Sequence, residues 1–254
     1  MFRYFLFASL LVALFPAHAI VNLESLHIGL PEEGVSGSLQ LGINGAEGNS
    51  RTTRASFGSR VQQRHQKTTR FVALNTDYGN SFGVEDKNKS FLHIRQIEQI
   101  SQSLAWEAYT QAERNKFARL NFRGLAGGGA RFTLGAHTPD KAIFFGLGGF
   151  YSREVLDSDG SETEDTDGEF YRLNTYFVFK RKLASGTVFM STSYFQPSIE
   201  DAKDFRFLED ASLLFKFTEN TQFRITLNLF HDNRPAERVK KTDVDYSTSF
   251  VYRF

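Results

Sequence analysis

Residues 242–254 read TDVDYSTSFVYRF. In an extended chain, Val244, Tyr246, Thr248, Phe250, Tyr252 and Phe254 share one face. Asp243, Asp245, Ser247, Ser249 and Arg253 share the other, with Val251 as its single apolar member. Successive side chains of a strand point to opposite sides, so this is a period-two pattern sustained over more than one membrane crossing of a tilted strand. Such a segment has one side for lipid and one for a polar interior.

The segments upstream repeat the pattern. Phe223, Ile225, Leu227 and Leu229 alternate with Arg224, Thr226 and Asn228. Phe205, Phe207, Ala211, Leu213, Phe215 and Phe217 alternate with Arg206, Asp210, Ser212 and Lys216. Leu173, Phe177 and Phe179 alternate with Arg172, Asn174 and Lys180, and Leu39, Leu41 and Ile43 with Ser38, Gln40 and Asn44. Read this way, the chain predicts strands at 36–45, 52–64, 68–77, 90–100, 104–112, 118–135, 142–152, 169–182, 187–196, 204–217, 221–231 and 241–254. Twelve is even, as a bacterial barrel with both termini on the periplasmic side requires. The least regular stretch is Leu92 to Ala112, where Ile97 and Ile100 leave the face of Leu92 and Ile94.

The connections fall into two interleaved sets. Short ones lie around His65 to Lys67, Ser101 to Ser103, Ala136 to Lys141, Ala184 to Gly186 and Thr218 to Asn220. Longer ones run over Ala46 to Arg51, Tyr78 to Lys89, Glu113 to Phe117, Arg153 to Gly168, Pro197 to Lys203 and Asp232 to Lys240. Short periplasmic turns alternating with longer external loops are a barrel asymmetry. A soluble sandwich or lipocalin-like barrel would also alternate, with its apolar face inward. Twelve long strands, the terminal phenylalanine and the glycines at Gly124 and Gly127 to Gly129 count against it.

Composition agrees. The 254 residues include 27 phenylalanines but one tryptophan, and mean hydropathy is only -0.35, so the aromatics are dispersed among charges. Beyond the amino terminus no stretch approaches the roughly 20 apolar residues of a membrane helix. Cysteine is absent, which excludes disulfides, thiolate metal sites, a cysteine nucleophile and a lipidated cysteine. The formal net charge of +1 gives no electrostatic basis for binding nucleic acid. Met1 to Ala19 has Arg3, an apolar run and Ala17-His18-Ala19, the pattern of an export signal cleaved before Ile20. Residues 20–35 then form a periplasmic segment, either a tail or a plug, ahead of a barrel over 36–254.

This register turns Arg123, Arg131, Arg172, Lys180, Arg206, Asp210, Lys216, Arg224, Asp243, Asp245 and Arg253 into the lumen, and Leu213, Phe215, Phe223, Ile225, Leu227, Phe250 and Phe254 toward lipid. Two readings of the interior stay open. The charges line a narrow conduit for ions or small solutes, or they pair and close it. Glu209 falls on the lipid side, at the outer interface or beside a bulge. The acidic run Glu154, Asp157, Asp159, Glu162, Glu164, Asp165, Asp167 and Glu169 reads as a solvated outer loop. A weak cation site is the alternative there, though the order matches no calcium-loop motif.

For the minor alternative of an outer-membrane hydrolase, the only bases approaching the outer side are His93, with Ser90 nearby, and His231, with Asp232 nearby. His27, His65 and His137 fall in the leader or the short turns, and no G-x-S-x-G, H-E-x-x-H or phosphate-loop motif occurs. The expectation is a protein that is not an enzyme and carries no cofactor or metal.

Val21-Asn22-Leu23-Glu24-Ser25-Leu26, Glu32-Glu33-Gly34-Val35-Ser36-Gly37-Ser38-Leu39, Glu113-Arg114-Asn115-Lys116-Phe117 and Leu120-Asn121-Phe122-Arg123 resemble the domain-of-unknown-function family 481, labelled salt-induced outer membrane proteins. The resemblance spans nearly all of the mature chain and implies an outer-membrane barrel linked to osmotic stress. It also implies insertion by the barrel assembly machinery, and it supplies no substrate or catalytic residue. The expectation is an all-β, transmembrane, antiparallel up-and-down barrel of about 12 strands. It would be monomeric, in contact with outer-membrane lipid and lipopolysaccharide. Its role would be envelope adaptation with a narrow or closed charged lumen, passage of ions or small solutes, or binding by surface loops.

Overall fold

The computed structural model describes residues 33–47, 51–135, 138, 140–157, 168–184, 186–236 and 238–254. The expected export signal and nearly all of the segment after it lie outside these residues. Twelve strands form one closed antiparallel barrel in which each strand pairs with its sequence neighbours and the first meets the last. They are β1 (Gly34–Ala46), β2 (Thr52–His65), β3 (Thr68–Ser81), β4 (Val84–Gln99), β5 (Leu104–Asn115) and β6 (Leu120–Thr133). The second half adds β7 (Lys141–Leu156), β8 (Gly168–Ala184), β9 (Thr187–Pro197), β10 (Phe205–Lys216), β11 (Thr221–Asp232) and β12 (Thr242–Arg253).

Period two governs the walls. Asp243, Asp245, Ser249 and Val251 of β12 are buried, while Val244, Tyr246, Phe250 and Tyr252 between them are exposed. On the outside, aromatic pairs gather toward both ends. Phe132–Phe145, Phe179–Phe189 and Phe223–Phe250 lie toward the end holding the termini, and Tyr151–Tyr171 and Phe195–Phe205 toward the other. Aromatic rings favour the depth at which hydrocarbon gives way to headgroups.

The hairpins depart from the expected loops in one informative place. The expected long connection Tyr78 to Lys89 is instead an extension of β3 and β4, closed by Phe82 and Gly83. Both residues have positive φ, 52° and 84°, the backbone of a two-residue hairpin turn. Gly79, Asn80 and Ser81 resemble a loop in composition. A bulge at Gly79/Asn80 absorbs them, and Ser81 and Arg54 both donate to Asp86. The stretch from Leu92 to Ala112 likewise forms two regular strands, because Phe91, His93, Arg95, Glu107 and Tyr109 alternate inward. Glu209 remains on the outer face without a bulge, and the Ser191 and Ser193 hydroxyls of β9 donate to its carboxylate.

Two further features shape the wall. Where β1 meets β12, the ladder runs only over Ser38–Leu41 against 250–253, extended by reciprocal bonds between Gly37 and Phe254. A Cβ on Gly37 would lie 2.5 Å from the Phe254 ring, so the terminal aromatic covers this seam only because Gly37 has no side chain. On β6 and β7 the inward positions Gly127, Gly129, Gly146 and Gly148 form a bare strip. Rings from flanking strands lie over it. A Cβ on Gly146 would fall 2.0 Å from Tyr176, and one on Gly127 2.9 Å from Tyr109. Asn174 of β8 donates across the strip to the Tyr109 hydroxyl of β5 at 3.0 Å.

Overpacking of this kind costs about 1–3 kcal/mol. Gly146→Ala is therefore expected to lower the midpoint of urea unfolding in detergent micelles, whereas Gly45→Ala, whose Cβ would find only ordinary contact, is not. In a Tyr176→Ala background the Gly146→Ala penalty is expected to vanish, which a double-mutant cycle reads directly.

Candidate functional site: a charged vestibule in the lumen

A cavity of about 440 Å³ occupies the half of the interior away from the termini, lined from β4 to β12. Arg206 of β10 is its centre. Arg206 donates from Nε to Asp232 at 2.7 Å and from Nη1 to Glu154 at 2.8 Å. Glu154 also accepts from Arg123 at 2.9 Å, Arg123 reaches Glu113 at 3.3 Å, and Lys89 stands 3.6 Å from the same carboxylate. The result is a continuous alternation of charge, Lys89–Glu113–Arg123–Glu154–Arg206–Asp232. Its Arg206–Glu154 link bridges β10 to β7 past two intervening strands. Lys87 of β4 spans to Asp245 of β12 at 2.5 Å, a second bridge across the interior. Arg172 forms a two-point contact with Asp204 at 2.9 and 3.0 Å.

The floor of the vestibule is aromatic. His93 stacks against Phe71, Phe91 and Tyr109 at centroid distances of 5.7–5.9 Å. Arg95 Nε donates to His93 Nε2 at 3.2 Å, which leaves Nδ1 to donate to Gln111 Oε1. Arg95 also pairs with Glu107, both side chains being 2% exposed. Beneath lie Phe144, Tyr176 and Val178, with Arg131 placed 4.0 Å over the Phe144 ring and donating to the Tyr176 hydroxyl. Inward Met190, Leu214 and Val251 are at most 1% exposed. At the rim, Asp201 accepts from the Lys203 amide and from Arg234. The amide first, and then Arg234, holds its carboxyl below the usual carboxylate range.

Of the charges assigned to the interior from sequence, Arg123, Arg172, Arg206, Asp210, Arg224 and Asp245 are brought into ion pairs, Arg224 with Asp210 at 3.1 Å. Arg131, Lys180 and Asp243 are buried, and Lys216 and Arg253 stand at the terminal rim. Leu213, Phe215, Phe223, Ile225, Leu227, Phe250 and Phe254 occupy the outer face. The acidic run is divided by the strands. Glu154 belongs to β7 and turns inward between two arginines, because pairing with β6 and β8 extends β7 to Leu156. It is thereby removed from the loop in which it was grouped. Asp157 is exposed at the end of β7, and Glu169 lies on the outer face of β8. Asp159, Glu162, Glu164, Asp165 and Asp167 lie outside the described residues.

The two candidate bases lose their partners to alternation. His93 points inward, while Ser90 points outward and pairs with Thr76. His231 faces outward, bonded to Thr242 at 2.8 Å, while Asp232 faces inward on Arg206. Among the described residues no three His, Asp or Glu side chains gather as metal ligands. Lys87, Lys89, Arg95, Glu107 and Glu113 were missed from sequence. Their i, i+2 spacing is visible, but Phe91 and His93 sit among them and disguise a polar face.

A family model described as "Protein of unknown function, DUF481" matches residues 39–254. The chain belongs to this family. The match covers the barrel from early β1 to the terminal phenylalanine. Among solved structures, the NanC porin is similar at TM-score 0.54 and 8% identity, over 85% of this chain and 98% of that one. The translocator domain of the autotransporter NalP from Neisseria meningitidis follows at 0.47 and 10%, over 89% and 91%. A KdgM porin in complex with disordered oligogalacturonate gives 0.45 and 8%, over 86% and 99%. The likeness to the NanC porin concerns fold alone. Among curated proteins none matches.

For this family member, the ladder predicts a graded response to charge removal. Glu154→Gln leaves Arg206 and Arg123 each short of one carboxylate in a buried setting, where breaking a pair costs roughly 3–5 kcal/mol. Urea unfolding in micelles is expected to show a loss of that size. Asp140→Asn, in an exposed pair with Lys182, is expected to change stability by less than about 1 kcal/mol.

Proposed function

We propose that this protein is an outer-membrane barrel whose charged lumen is closed at rest, serving the envelope under osmotic stress and not as a standing pore. The observation that carries the closed lumen is the pair of ionic bridges across the interior, Arg206–Glu154 and Lys87–Asp245, above an aromatic floor. Opposite charges joined across a confined space occupy the volume that a solute would need, and they neutralise the field that would concentrate ions. The stress connection comes from the family resemblance. Membrane placement is supported by the twelve-stranded closed wall, its apolar exterior and its two aromatic zones. A ligand- or voltage-opened channel is the second reading, favoured by the cavity beneath the loops.

Planar bilayers separate the two. The native protein is expected to give no steady conductance steps. Lys87→Ala combined with Arg206→Ala is expected to produce them, because both bridges are then lost. Steady steps from native protein would overturn the closed-lumen reading and establish the channel.

A further inference from the structure

On the outer wall, two cross-strand rows share one profile. Leu92, Ala112, Gly124 and Arg153 lie side by side on β4 to β7, and Ile94, Thr110, Ala126 and Tyr151 lie beside each other in the next row. In each row small residues stand between large ones, so the wall is hollowed along β5 and β6. The hollow is a groove of about 430 Å³, capped by Phe122 at the loop end. Strands lie about 4.8 Å apart, so a floor two strands wide matches the girth of one hydrocarbon chain.

The mouth of this groove is basic. Arg153 ends its upper row, and Arg114 projects outward one step further along β5. The carboxylates beside them spend their hydrogen bonds on other partners. Glu169, opposite Arg153, accepts from Tyr151, and Glu85, beside Arg114, accepts from Lys116 and Asn88. Among the described residues no carboxylate forms an ion pair with either guanidinium. Tyr151 and Tyr171, whose tilted rings lie 5.2 Å apart, put this mouth at the depth where aromatic rings meet headgroups. An apolar trough with two guanidinium groups at headgroup depth, neither held in an ion pair among the described residues, is complementary to one occupant, an acyl lipid carrying a phosphate monoanion.

We propose that the β4–β7 face binds one anionic phospholipid of the surrounding membrane, its chain in the groove and its phosphate on Arg153 and Arg114. This rests on the reading of the exterior as lipid-facing. The full chain is tested by insertion into phosphatidylcholine vesicles, and failure to insert would overturn that reading first. Inserted protein is then extracted into micelles and weighed by native mass spectrometry with phosphatidylglycerol or phosphatidylcholine of identical chains.

One retained phosphatidylglycerol, preferred at least fivefold, is expected. Arg114→Gln with Arg153→Gln is expected to bring the preference close to one. Ala126→Phe, which fills the floor, is expected to remove retention of both lipids. If Ala126→Phe does not fold, the arginine pair decides alone, being exposed and outside the ladder. Equal retention of the two lipids, or indifference to the arginine substitutions, would overturn the proposal. So would a dimer that Ala126→Phe converts to monomer, since a second copy would then be the occupant.

Discussion

Charge placed inside a closed wall must meet opposite charge, and in this barrel that requirement organises the interior. Alternation along a strand cannot choose which polar residues go inward; it sends every second one. Twelve strands thus deliver arginines, lysines and carboxylates into a confined interior where most of them are buried. The desolvation penalty is offset only where partners lie within hydrogen-bond reach. Arg206 shows how this is met, with two carboxylates from different strands on one guanidinium. Because its partners sit on β7 and β11, the pairing also fixes how far apart the facing walls stand.

The glycine strip complements that arrangement. Charged bridges need length, and aromatic rings need area, so some stretch of wall must give up side-chain volume. β6 and β7 do so, and Tyr109 and Tyr176 lie over the bare backbone. β6 is also thin on the outside, where its Gly124 and Ala126 floor the groove. That one strand is therefore depleted on both faces. The interior loss accommodates the floor of the vestibule, and the exterior loss makes a recess in an otherwise convex surface.

Strand number, order and facing were legible in the sequence because the outer face is apolar and the inner face is charged. β10 to β12 are the clearest, where Phe230 is the single inward aromatic to interrupt the pattern. Legibility failed where composition and pairing disagreed. Gly79-Asn80-Ser81 resembles a loop, yet a bulge and hydrogen bonds to Asp86 hold it in a hairpin. Glu154 resembles part of an acidic loop, yet two arginines draw it inward and prolong β7. Its role depends on Arg206, fifty-two residues later in the chain, and no local pattern reports such a contact. The inward Phe71, Phe91 and Phe144 were equally hidden, since an aromatic on the polar face reads as noise in the alternation.

The joint between the first and last strands has its own consequence. Every other ladder links residues close in sequence and forms as a hairpin, while this one joins residues more than two hundred positions apart over a few pairs capped by Phe254 and Gly37. Contacts between chain ends carry the greatest loop-closure cost, so this joint is the last to zip during assembly. It is also where the cylinder tears first under lateral tension, which makes a terminal phenylalanine resting on a glycine the latch of the whole wall.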